Sequence, residues 1–159
     1  MKKSISRRRL VGSLVAMGTL ASNSGAAEQA AGIRGFDHVA LPMQNTEEML
    51  AFYRRLGLQV VENANACSVY IGSQMINFHR PAHWQDMAFT LRAPMAQPPC
   101  GDLCFVWGGS AEELRSFLEK AGAKVVEGPA PRQGGRQKTG TSTYIRDPDG
   151  NLLEFMIYG

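Results

Sequence analysis

Two stretches of this 159-residue chain align without a gap: NTEEMLAFYRRLGLQVVEN (45–63) and SAEELRSFLEKAGAKVVEG (110–128). Seven of the 19 aligned positions are identical; in the first copy they are Glu47, Glu48, Phe52, Gly57, Val60, Val61 and Glu62. Both copies predict a helix that begins after an N-cap residue, Asn45 or Ser110, carries acids in its first turn and ends at a glycine before a strand. The chain therefore contains one structural module twice, which is too few copies for a repeat array.

The segments that flank each copy also correspond. DHVALPM (37–43) and DLCFVWG (102–108) precede the helices and predict strands. CSVYIGSQMINFH (67–79) and STYIRDPDGNLLEF (142–155) follow them, each predicts a hairpin, and they share the pattern S-x-Y-I. The sequence thus predicts an α+β fold of two tandem βαβββ modules that form a curved mixed sheet around a cleft.

Two segments show no clear period. The stretch 81–101 is rich in proline and predicts a linker that crosses the protein between module one (35–80) and module two (102–159). The stretch GPAPRQGGRQKTG (128–140) predicts a loop, either a mobile lid over the cleft or a solvated connection.

Residues 1–30 predict a cleavable export signal. A basic start, an apolar stretch from Leu10 to Ala21 and small residues near Ala26 are typical of such signals, and the apolar stretch is too short to span a bilayer comfortably. SRRRLV (6–11) is similar to the twin-arginine export motif, and an ordinary Sec signal is the alternative. Either signal predicts a periplasmic or secreted protein with no membrane anchor after cleavage.

The charge balance argues against a nucleic-acid partner. The formal net charge is +3, from 17 Lys and Arg against 14 Asp and Glu, but five of the basic residues lie within the first nine positions. Without those five, 12 basic residues stand against 14 acidic ones, a net charge of −2 with no basic stripe.

The three cysteines, Cys67, Cys100 and Cys104, are too few for a disulfide framework. On an extended strand Cys100 and Cys104 lie about 13 Å apart, too far to bond to each other. A disulfide from Cys67 to either of them stays open, and buried, unreactive thiols are the preferred interpretation.

Polar residues interrupt the first and last predicted strand of each module. Side chains two residues apart share one face of a strand, so each of these positions puts a polar group on a face of the sheet. The polar residues are His38, Asn77, His79, Asp102 and Glu154. Pseudo-symmetry would bring the four strands to one cleft, where a carboxylate such as Glu154 needs a compensating partner.

The duplicated module, DHVAL (37–41) and YIRDPDGNLLEF (144–155) resemble the vicinal oxygen chelate superfamily, which includes glyoxalase I, bleomycin and fosfomycin resistance proteins, and extradiol dioxygenases. The resemblance covers residues 35–159. INFH (76–79) and DLCF (102–105) resemble a branch of glyoxalase-domain-containing, lactoylglutathione-lyase-like proteins.

In metal-using members of this superfamily the ligands come from the first and last strand of each module. The resemblance therefore implies that His38 and Glu154 are metal ligands. Asp102 stands where many members carry a histidine and is a third candidate. Asn77 stands where glyoxalase I has a glutamate, so His79, two residues further along the same face, is the fourth candidate or instead contacts substrate.

The place of Asp102 depends on the alignment of the two modules. Strict alignment by the repeat puts Leu103, which cannot bind a metal, at the position of His38. A loop one residue longer before the second helix puts Asp102 there, and we adopt this second alignment.

The resemblance implies a divalent-metal enzyme of the glyoxalase/dioxygenase type, acting on a small oxygen-rich substrate by bidentate chelation. Imidazole and carboxylate ligands suit Mn, Fe, Co, Ni or Zn, and Glu154, or alternatively Asp102, would double as the catalytic base. Lyase or isomerase chemistry and dioxygenase chemistry stay open, as does a homodimer. The alternatives are a metal-free protein that sequesters a small molecule, with Trp84 and Trp107 in an aromatic cleft, and an interaction module with a vestigial site.

The first prediction concerns export. We expect the mature N-terminus to fall between residues 27 and 31, because the small residues there follow the apolar stretch. N-terminal sequencing of the functional extracytoplasmic protein measures this directly. A protein that retains Met1 or Lys2 would contradict it.

Overall fold

The computed structural model describes residues 32–159, and the predicted export signal lies outside them. The elements are β1 (His38–Pro42), α1 (Thr46–Arg55), β2 (Gln59–Glu62), β3 (Ala66–Ile71), β4 (Gln74–His79), α2 (Pro81–Trp84), β5 (Asp102–Val106), α3 (Ala111–Lys120), β6 (Val125–Gln133), β7 (Thr139–Arg146) and β8 (Leu152–Ile157). None of the helices in this part of the chain is long and apolar enough to cross a membrane.

The strands form two four-stranded mixed sheets of the same topology. The strand orders are β1-β4-β3-β2 in module one and β5-β8-β7-β6 in module two. In each sheet the first strand pairs parallel to the last, and the other neighbours are antiparallel. The predicted βαβββ duplication is confirmed, and the predicted sheet consists of two separately hydrogen-bonded halves.

The parallel ladders fix which residues of the two modules correspond. The ladder begins with His38 opposite Met75 in module one and with Asp102 opposite Leu152 in module two. The backbone bonds beyond the two ends match as well: Met75 N–H donates to Asp37 and Leu152 N–H to Gly101, while Met43 N–H donates to His79 and Trp107 N–H to Met156. Asp102 therefore corresponds to His38, and Glu154 to Asn77.

The shared S-x-Y-I pattern does not correspond in space. Ser68 lies opposite Asn77, whereas Tyr144 lies opposite Glu154. Since Asn77 and Glu154 correspond, Ser68 matches Tyr144 and the motif is shifted by two residues between modules. A shift of two keeps every side chain on its face, so the local pattern cannot reveal it.

The loop predicted over residues 128–140 is wrong in its first half. Residues up to Gln133 belong to β6, which pairs with β7 through two register shifts on either side of Glu127. β6 is an edge strand, where Pro129 and Pro131 can be accommodated because one row of backbone N–H groups needs no partner strand. Only residues 134–138 connect the two strands.

Helices α1 and α3 pack their apolar faces into one core, whose fully buried side chains include Met49, Leu50, Tyr53, Leu114 and Leu118.

The N-terminal ends of α1 and α3 are capped differently. Ser110 accepts from Glu113 N–H at 3.2 Å and Glu113 accepts from Ser110 N–H at 2.7 Å, a capping box that confirms the predicted cap.

Asn45 occupies the N-cap position of α1 as predicted, but its side chain makes no capping bond to the helix. Asp149 of module two lies at this helix start instead: its carboxylate accepts from the backbone N–H of Gln44 at 2.7 Å and of Asn45 at 2.8 Å. A carboxylate at a helix N-terminus is favourable because the helix dipole is positive there.

The turn that holds Asp149 also buries Asp147. The Asp147 carboxylate accepts from the Tyr53 hydroxyl at 3.0 Å, from the Asn151 amide side chain at 2.9 Å and from Asn151 N–H at 2.8 Å. Burial raises the pKa of Asp147, and these donors act in the opposite direction. Asn151 in turn accepts from the backbone N–H of Cys100 and Gly101 at the start of β5. One turn thus joins α1, the linker and β8.

Tyr53→Phe removes a buried hydrogen bond to a carboxylate across the two modules. We expect the free energy of unfolding to fall by about 1.5–3 kcal/mol, because Asp147 stays buried with one donor fewer. Urea denaturation measures the change. Tyr70→Phe, on a side chain that is 38% exposed, is the matched control and should change stability by less than about 0.5 kcal/mol. Equal effects of the two substitutions would contradict the role of the Tyr53–Asp147 bond.

Candidate functional site

The polar residues of module two lie on the sheet face that points away from the helices. On β8 the side chains of Leu153 and Phe155 are buried in the core, so Glu154 between them points to the other face. By the register of the three strands, the same face carries Asp102, Cys104, Ser142, Tyr144 and Arg146. We call it the open face of module two.

A cavity of about 480 Å³ lies on this face. Its lining residues are Asp102, Val126, Glu127, Arg132, Tyr144, Arg146, Leu152 and Glu154. We call it the module-two cavity. It holds three carboxylates and two guanidinium groups, so both signs of charge meet in one small volume.

Short contacts orient the charged groups of this cavity. The buried Ser142 hydroxyl donates to the Glu154 carboxylate. Arg132 pairs with Glu127, and its guanidinium lies 5.7 Å from the centre of the Tyr144 ring. The cavity therefore presents one oriented carboxylate beside a cation stacked on a phenol ring.

Cys104 lies directly opposite Glu154 in the ladder. Burial, the charge of Glu154, a hydrogen bond to Glu154 and the charge of Asp102 together raise the pKa of this thiol to about 12. Cys104 is therefore a protonated neighbour of the two carboxylates. All three cysteines are free, but only Cys67, in the core of module one, is buried. The preferred interpretation of buried thiols is therefore wrong for Cys100 and Cys104, which are exposed.

His38 lies in a second cavity, of about 390 Å³, between β1 and β5. Asp102 and Cys104 line the same cavity, and the His38 Nδ1 atom lies 2.6 Å from a carboxylate oxygen of Asp37. Asp102 thus belongs to both cavities and is the link between His38 and Glu154.

His79 lies apart from the other three candidate ligands. It lines a third cavity, of about 400 Å³, with Trp84 and residues 91–93 of the linker. Its Nε2 atom is 3.4 Å from the Asn77 amide nitrogen, and burial together with the charge of His83 lowers its pKa. The linker therefore lines this third cavity.

His83 lies in the segment predicted as a linker, where a solvent-facing side chain is expected, but it is only partly exposed. The imidazole is half-buried because its ring centre lies 4.0 Å from that of Phe89 and 5.4 Å from that of His79. The short helix α2 turns the side chain back onto the sheet.

The candidate ligands have the donor atoms that a divalent ion prefers, but their present positions do not bring them together around one ion. An imidazole and two carboxylates suit such an ion, and His38, Asp102 and Glu154 lie on three strands of the two corresponding ladders. Within residues 32–159, however, no group of three His, Cys, Asp or Glu side chains lies close enough to hold one ion. His38 and Glu154 are held instead by Asp37 and Ser142.

Sequence reasoning missed Arg132, Tyr144 and Arg146. Tyr144 and Arg146 precede Glu154 on the other arm of the hairpin at even spacing, and the register would have placed them on its face. Arg132 carried no such signal, because its strand was predicted as a loop. The two tryptophans do not share the expected aromatic cleft. Trp84 donates to Met43 C=O in the third cavity, whereas Trp107 stacks on Phe117 in a separate apolar cavity of about 210 Å³.

Residues 35–155 match the model of the Glyoxalase/Bleomycin resistance protein/Dioxygenase superfamily. The chain belongs to this superfamily, as its two βαβββ modules and the Asp147 turn indicate.

Two curated relatives are similar over most of the domain. The glyoxalase domain-containing protein RDO1 of Mycosarcoma maydis is 35% identical over 127 residues, covering 79% of this chain and 69% of that protein. Virulence protein STM3117 of Salmonella typhimurium is 36% identical over 124 residues, covering 77% and 83%.

Solved structures share the fold. An integron cassette protein of V. cholerae superposes with a TM-score of 0.70 at 30% identity, over 80% of this chain and 97% of that one. A lactoylglutathione lyase from Agrobacterium tumefaciens superposes with a TM-score of 0.60 at 22% identity, over 79% and 95%, which shows the common fold alone.

The Cys104 thiol gives a test of the Glu154 contact. In metal-free protein at pH 8.5, a pKa of about 12 leaves on the order of 1 thiolate in 10³, so Cys104 should alkylate slowly with iodoacetamide. Glu154→Gln removes a negative charge and should lower that pKa, which speeds alkylation severalfold. Mass spectrometry measures the rate, with Cys100 as the internal control. An unchanged Cys104 rate would contradict the contact.

Proposed function

We propose that this protein is a divalent-metal-dependent enzyme of the glyoxalase/dioxygenase type that acts on a small oxygen-rich substrate. The observation that carries the proposal is the correspondence of the two ladders, in which Asp102 takes the place of His38 and Glu154 the place of Asn77. Family members commonly use divalent metals at these strands, and the donor atoms of His38, Asp102 and Glu154 suit Mn, Fe, Co, Ni or Zn.

His38, Asp102 and Glu154 would hold the ion, with His79 as the fourth predicted ligand. When bound, a divalent ion supplies Lewis-acid stabilisation of negative charge on two neighbouring substrate oxygens. The chain supplies the rest. Ser142 orients the Glu154 carboxylate, which can accept and return a substrate proton at its free oxygen. The Cys104 thiol interacts with the same carboxylate from the neighbouring strand β5.

The arrangement of His38 bears on the assembly. Because His38 and Glu154 line different cavities, His38 reaches the ion either after a side-chain shift within one chain or from a second copy. Apolar side chains exposed on the open faces support a homodimer; they include Val61 at 46% and Val106 at 52% exposure. Mixing His38→Ala with Glu154→Ala protein distinguishes the two, since only an intersubunit site regains metal in the mixture.

The metal prediction is tested on purified mature protein, stripped with a chelator and then incubated with Mn, Fe, Co, Ni or Zn. Elemental analysis per monomer should find close to one ion. His38→Ala and Glu154→Ala should each lower metal content at least tenfold while the far-ultraviolet circular dichroism stays unchanged, because each removes a ligand. His79→Ala reports whether the fourth predicted ligand belongs to the site.

His83→Ala is the matched control, since His83 lines neither the module-two cavity nor the cavity of His38, and the metal content of this variant should stay near that of the wild type. Wild-type protein that takes up none of the five metals would favour the alternative, a metal-free small-molecule-binding protein. In that case the open face of module two would be a binding surface without catalysis.

A further inference from the structure

The module-two cavity contains two arginines that the proposed metal site does not use. Arg132 reaches it from β6 and lies over the Tyr144 ring, while Arg146 stands two residues beyond Tyr144 on the same face of β7. Arg146 donates to Gly150 C=O at 2.7 Å, which occupies one of its five N–H donors and fixes the direction of its guanidinium group. Two forked donors therefore flank one phenol ring.

The ladders give the spacing between these arginines and the proposed ligands. Asp102, Leu152 and Arg146 lie in one row across three adjacent strands, so Asp102 and Arg146 are about 10 Å apart at the backbone. Tyr144 stands directly opposite Glu154, with β-carbons about 5 Å apart. A small molecule can reach from the carboxylates to the arginines.

The charge count of the cavity changes sign with a bound divalent ion. Asp102, Glu127 and Glu154 against Arg132 and Arg146 give a net charge of −1. A divalent cation at Asp102 and Glu154 makes it +1, which favours an anion over a neutral ligand.

Arg132 can turn to such a ligand at small cost. Its present ion-pair partner is Glu127, and the two side chains are 41% and 60% exposed. Ion pairs at this exposure contribute little to stability, so exchanging Glu127 for a substrate anion loses little. The planar forks of both arginines suit a carboxylate, phosphate or phosphonate group.

We propose that Arg132 and Arg146, with the Tyr144 hydroxyl between them, form an anion subsite, and that the substrate carries a carboxylate, phosphate or phosphonate group beside the oxygens near Glu154. The part of this inference that places substrate oxygens near Glu154 rests on the proposed function. The anion subsite itself rests on the two arginines alone.

Inorganic sulfate is the probe, because it stays soluble with Zn²⁺. Isothermal titration of Zn-loaded protein should show sulfate binding that weakens at least tenfold in Arg132→Gln and in Arg146→Gln. Arg136→Gln is the matched control, because Arg136 also stacks on a tyrosine, 4.8 Å from the Tyr158 ring centre. This variant should bind sulfate like the wild type. Arg132→Lys and Arg146→Lys keep the charge, lose the fork and should bind with intermediate affinity.

Sulfate affinity that is unchanged in both glutamine variants, or equally weakened in Arg136→Gln, would overturn the subsite. Circular dichroism checks that each variant is folded. If a glutamine variant does not fold, the sulfate affinity of the corresponding lysine variant decides the outcome. If the wild type takes up no Zn²⁺, the same comparison is made in Glu154→Gln protein, whose cavity has no net charge. Loss of sulfate binding there with Arg132→Gln upholds the subsite even though the metal proposal has failed.

Discussion

The buried carboxylate of Asp147 is the point on which the domain depends. It lies in a turn of module two, yet it accepts from Tyr53 of module one and from Asn151, which anchors the backbone ahead of β5. An ionised group in this position is unfavourable without donors, so all of its partners must be in place together. The adjacent Asp149 completes the junction at the start of α1.

This junction has a direct consequence for the candidate site. β7 and β8 leave the turn in a fixed register, which places Tyr144 opposite Glu154 and holds β8 parallel to β5. The proposed base Glu154 and the Tyr144 of the proposed anion subsite therefore lie on paired strands, where neighbours restrict their motion. His38 is on an edge strand with its side chain near half-exposed, and it has more freedom to move.

The charge pattern of module two favours the proposed enzyme over a pocket for an apolar drug. A cavity that sequesters an apolar drug would be expected to have aromatic walls, whereas this one holds carboxylates and arginines around a single tyrosine. The two tryptophans that suited such a pocket lie elsewhere. Trp84 lies against the linker, and Trp107 packs against Phe117 of α3. The open face is better suited to a polar substrate with separated charges.

The sequence alone determined the modules, because helix periodicity, glycine stops and strand alternation are local properties, and the chain shows them twice, once in each copy. It also determined which faces carry Asp102 and Glu154, since alternation along a strand needs no partner. The choice between the two alignments of Asp102, the shift of the S-x-Y-I motif and the bonds that Asp149 accepts at the start of α1 were decided only by tertiary structure. Each depends on hydrogen bonds between strands or modules far apart in sequence, and local patterns carry no record of those partners. The same holds for Arg132, which reaches the cavity only because β6 pairs with β7 and carries its side chain over Tyr144.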